Sequence, residues 1–88
     1  MASDNARQWE AAYRQYGRAW EWTARCGKTD PAVAQEMAAS SRAVAAAWRQ
    51  IASGTALPWW ALAAIESAAG AFESQARDYE TRDTSEGP

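Results

Sequence analysis

The stretch PAVAQEMAASSRAVAAAWRQIAS, residues 31–53, decides how this chain folds. Val33, Met37, Ser40, Val44, Ala47 and Ile51 recur at alternating spacings of four and three, which sets them along one stripe of an α-helix, with Trp48 at the stripe's edge. Asp30 precedes the stretch as an N-cap. Pro31 takes the first helical position, where its missing N–H would have had no intrahelical partner, and Gly54 closes the helix.

The same pattern extends to both sides. A first helix is predicted over residues 4–26, with Ser3 or Asp4 as N-cap and Gly27 as a left-handed stop; its stripe is Ala6, Trp9, Tyr13, Tyr16, Trp20 and Thr23. A third is predicted over residues 56–82, capped by Thr55 with Pro58 in its first turn. Its stripe is Leu62, Ile65, Ala69, Phe72, Ala76 and Tyr79. Three stripes of similar length on short connections are best buried together in an all-α, antiparallel three-helix bundle. Residues 1–82 then form one domain and residues 83–88 a flexible polar tail. Alanines beside the stripes (Ala12, Ala19, Ala34, Ala38, Ala45, Ala52) let the backbones approach and leave aromatic rings to fill the remaining space.

Composition says what those rings must do. The chain has 88 residues, and its six Trp are as many as its Val, Ile and Leu together, while 23 positions are Ala. Nearly all bulky apolar volume is therefore aromatic, and with a net charge of only −2 the chain reads as folded and not as disordered. No His and a single Cys, Cys26, exclude a zinc-ligand set, a Cys-His nucleophile pair and an internal disulfide; no cofactor is implied. Asp4, Arg7, Glu10 and Arg14 exclude a signal peptide at this N-terminus, and no uncharged apolar run spans a membrane, so the expected location is cytoplasmic.

Charge is unevenly placed. Residues 1–28 carry five basic and three acidic side chains, residues 29–54 two of each, and residues 55–88 two basic and six acidic. Arg7, Arg14, Arg18 and Arg25 line the outer face of the first helix, but Glu10 and Glu21 stand four residues before Arg14 and Arg25. That is the spacing of a solvated, salt-bridged face, so nucleic acid is not an expected partner.

Placing the helices antiparallel brings distant residues level. Trp9 and Trp48 each lie 17 residues from the first loop, before Cys26 and after Pro31, so they should meet, joined by at least one of Trp59 and Trp60. Adjacent rings cannot both point inward. At about 100° per residue, Trp59 falls on the flank of its stripe and Trp60 well outside it, among Ala63, Ala64, Ser67 and Ala71. Trp22 is rotated about 200° from Trp20 and faces outward, with Arg18 one turn earlier in position for a cation–π contact.

Three functions fit these residues. The favoured one is a small non-enzymatic interaction module that self-associates or docks on another protein through Trp22, Trp60 and the Ala-rich faces. The second is a small-molecule binding protein that holds an aromatic or cationic molecule among Trp9, Trp48, Trp59 and Trp60. The third is a minimal enzyme in which Glu66 or Glu73, beside an aromatic wall, has a raised pKa and serves as acid or base. In length, Ala content and the pattern Tyr79-Glu80-Thr81-Arg82-Asp83 the chain is similar to the small helical substrates of type VII secretion. It lacks the Trp-x-Gly that those two-helix hairpins carry in their turn, and it is not assigned to them.

Overall fold

The computed structural model describes residues 2–26, 30–54 and 56–85, with side chains over 4–26, 30–54 and 56–81. Three helices account for nearly all of them: α1 (Ala2–Cys26), α2 (Pro31–Gly54) and α3 (Trp59–Ser85), with no strand among the described residues. Helix α2 packs along both neighbours, and the cross-links between helices run antiparallel. Asn5 meets Gln50 and Gln15 meets Glu36, while Arg49 meets Glu66 and Glu73, and Arg42 meets Glu80. No Cα of α1 lies within 8 Å of one in α3 among the described residues, and the molecule extends over 47 × 20 × 16 Å.

The helix ends follow local chemistry. Asp30 caps α2 as expected: its Oδ1 accepts from the Ala32 amide at 2.9 Å and its carbonyl from the Ala34 amide at 2.9 Å. Helix α1 begins earlier than expected, at Ala2. Ser3 and Asp4 thus lie inside its first turn, where the Asp4 carboxylate complements the positive helix end and is not its cap. Helix α3 begins later, at Trp59, because a residue before proline is driven out of the helical region and Leu57 precedes Pro58. The Pro58 carbonyl accepts from the amides of Ala61 and Leu62 at 3.0 and 3.1 Å. Helix α3 also continues to Ser85, three residues past its expected end. The predicted stop at Gly27, the cap at Thr55 and the last three residues of the predicted tail lie outside the described residues.

The core has two parts. Toward the first connection Ala19, Val33, Ala34, Met37, Ala38, Ala76 and Tyr79 close on one another, with Tyr16 against them. Toward the second, Ala12, Val44 and Ala47 are flanked by Trp9, Tyr13, Trp48 and Phe72. Val33, Met37, Ser40, Val44 and Ala47 of α2 are all buried as their periodicity predicts. Three stripe residues, Ala6, Trp20 and Leu62, are exposed instead. Trp20 is 49% exposed while its neighbour Ala19 is 3% exposed: the buried line of α1 runs through Ala12, Ala19 and Thr23, and Trp20, about 100° round from Ala19, lies at its edge. Leu62, in the first turn of α3, is 39% exposed.

Gly54 has a steric role. A Cβ there would come within 2.5 Å of Asn5 Nδ2, which donates to the Gln50 carbonyl at 3.3 Å and so satisfies a backbone acceptor in the last turn of α2.

Candidate functional site

Aromatic rings join α1 to α3 across the gap between their backbones. Trp9 and Trp48 meet as expected, edge to face, with centroids 5.2 Å apart, and Trp9 continues to Tyr13 at 4.7 Å. Phe72 of α3 then receives the edges of Tyr13 at 5.8 Å and Tyr16 at 5.2 Å, and the Tyr16 hydroxyl donates to Gln75 Oε1 at 3.2 Å. The indole N–H groups of Trp9 and Trp48 are buried without an acceptor. The two rings fill volume between α1 and α2, at the cost of two unpaired donors.

The start of α3 is different. Trp59 is 79% exposed and Trp60 63% exposed, and with Leu62 they put three large apolar side chains in solvent within the first turn of one helix. Trp60 stands outside the packed face, as its position on the helix predicts. Its ring also borders a shallow apolar cavity of about 300 Å³ formed with Trp48 and Ile51 of α2, Leu57 of the connection, and Ala61, Ala64 and Ile65 of α3. Trp9 thus meets Trp48, and Trp48 and Trp60 border the same cavity, so three tryptophans adjoin at this end as expected, while Trp59 stands apart.

At the opposite end Trp22 is exposed, as expected, at 38%. Arg18 makes no cation–π contact with it among the described residues, so the expected pairing of those two does not form. The outer face of α1 does carry the expected ion pairs, Glu10–Arg14 at 3.6 Å and Glu21–Arg25 at 4.0 Å.

Arg49 is the residue that sequence reasoning passed over. Its Nε and Nη2 take both oxygens of Glu73 at 3.0 and 2.9 Å, and its Nη1 reaches Glu66 at 3.0 Å; Arg42 grips Glu80 in the same forked way. Hydrogen bonding from Arg49 holds the Glu73 carboxyl below the usual carboxylate range, and that from Arg42 does the same for Glu80. The raised pKa expected of a catalytic acid at Glu73 is the opposite of what its partner imposes. The sequence held part of the signal: Glu66 and Glu73, seven apart, lie along one edge of α3, but the cation that faces them is set by the register of α2 against α3.

Among the described residues no group of Cys, Asp and Glu is placed to hold a metal ion, and no helix is long and apolar enough to cross a membrane. The fold is a small all-α three-helix bundle with large apolar side chains exposed at the start of α3. No family model, no curated protein and no solved structure matches the chain. Tyr79, the aromatic residue of the Tyr-x-x-x-Asp pattern, is a core residue here.

Proposed function

We propose that this protein is a small non-enzymatic helical interaction module whose contact surface is the start of α3. One observation carries the reading: Trp59 and Trp60 stand exposed at the start of a regular helix whose other face is packed. Exposed indoles do little for the stability of an isolated chain, and Trp is the residue type most enriched where binding energy concentrates. Benzoylphenylalanine placed at position 60 and irradiated in the cells that make the protein should give a protein adduct. The same probe at the exposed Ala39 of α2 should give none. Equal yields at both positions, or none at either, would remove the proposal.

A second reading rests on the cavity. About 300 Å³ of apolar space bordered by two indoles is at the lower size limit of small-molecule sites and suits a flat aromatic or cationic metabolite. Titration with a panel of such molecules should change the intrinsic Trp fluorescence, and Trp60→Ala should abolish the change; an unresponsive wild type refutes this reading.

A further inference from the structure

We infer that the occupant of the α3 surface is a second copy of this chain, paired antiparallel along α3 about an axis near Ser67. This rests on the interaction-module reading and names its partner. Along the outer face of α3, Trp60, Ala63, Ser67, Ala71 and Ser74 follow one another at helical spacing, all exposed and none charged. Glu66 and Glu73 are turned to the α2 edge by Arg49. The outward charges come later, at Arg77 and Asp78, and Arg77 lies within electrostatic reach of Glu73 and Glu80.

Charge and size both select the antiparallel pairing. With Ser67 on the axis, Trp60 lies level with the partner's Ser74 and Ala63 with the partner's Ala71, so each ring meets a small side chain. Asp78 then reaches past the partner's Trp60 toward the start of its α3. The first turn there has no acidic residue, and its free amide groups carry partial positive charge. The two-fold axis makes this contact twice. A parallel pair would instead set Trp60 against Trp60 and Asp78 against Asp78.

With Ser67 on the axis, residues 59–75 of the two α3 helices overlap, over about 25 Å, and each Trp60, 63% exposed, supplies the largest single share of what the pair buries.

Sedimentation of the wild-type chain through a roughly hundredfold dilution should pass from dimer to monomer. Ser67→Arg sets two guanidinium groups face to face on the axis and should leave only monomer with unchanged far-UV circular dichroism. Ala39→Arg, on the outer face of α2, should sediment as wild type. In a Cys26→Ser background, Ser67→Cys should oxidise to a disulfide-linked dimer. A wild type that is monomeric throughout overturns the pairing, as does a dimer indifferent to Ser67→Arg or a Ser67→Cys chain that does not cross-link. If the wild type is monomeric while benzoylphenylalanine at position 60 still captures another protein, self-pairing falls and the interaction module stands; if position 60 captures nothing either, both fall.

Discussion

The two halves of this bundle are built on different scales of side chain. Around Met37 the core consists of Ala19, Ala34, Ala38 and Ala76 with Val33 and one phenol, and it closes completely. Around Trp48 it consists of rings, and it closes only in part: α1 and α3 are bridged by Tyr13, Tyr16 and Phe72, and a cavity remains beside Trp60. Small side chains let backbones approach until no space is left, whereas flat rigid rings hold them apart and meet at angles that leave gaps. A chain with few aliphatic residues therefore has one dense end, which supplies stability, and one open end, which supplies surface.

The sharpest way to break that comparison is at the dense end. Met37 is fully buried, and Met37→Ala should cost about 2–5 kcal/mol in urea or guanidinium unfolding. A smaller loss would mean that this half is loosely packed. The next effect is on the edge that ties α3 to α2. Folded-state pKa values of Glu73 and Glu80 lie below their unfolded value, so their contribution is complete above the ordinary Glu pKa and is lost as pH falls through the lowered values. The melting temperature should be level from neutrality to about pH 5 and fall below it. Glu73→Gln with Glu80→Gln should flatten that fall.

At the open end the expected effects on folding are small. At concentrations where the chain is monomeric, Trp60→Ser should change unfolding stability by no more than about 0.5 kcal/mol, because the ring is mostly in solvent. A large loss would show that the cavity is part of the core. Smallest is Gly54→Ala. The gain in helix propensity, about 0.5–1 kcal/mol, is offset by displacing Asn5 from the end of α2, and thermal melts should move little in either direction.

The periodicity of residues 31–53 was sufficient to read α2 and its buried line, and the Asp30 cap was legible as a single residue. Trp9 against Trp48 followed from counting residues back from the first loop. Other features depended on which face is packed. Trp20 and Leu62 sit on the predicted stripes, yet the buried line of α1 runs through Ala12, Ala19 and Thr23 and leaves Trp20 at its edge, and Leu62 stays 39% exposed. The Arg49 fork escaped because it needs the register of two helices that are separated in sequence.

By itself, then, the sequence determined that there are three helices, that they run antiparallel, and that Trp60 and Trp22 lie off the packed face. Those properties belong to single segments and to the lengths between them. Only the tertiary structure decided that Ala19 and not Trp20 is enclosed, that Glu73 belongs to Arg49, and that α1 and α3 meet through side chains, with their backbones apart. Each of these depends on how two helices are set against each other, and that placement is fixed by every side chain between them at once.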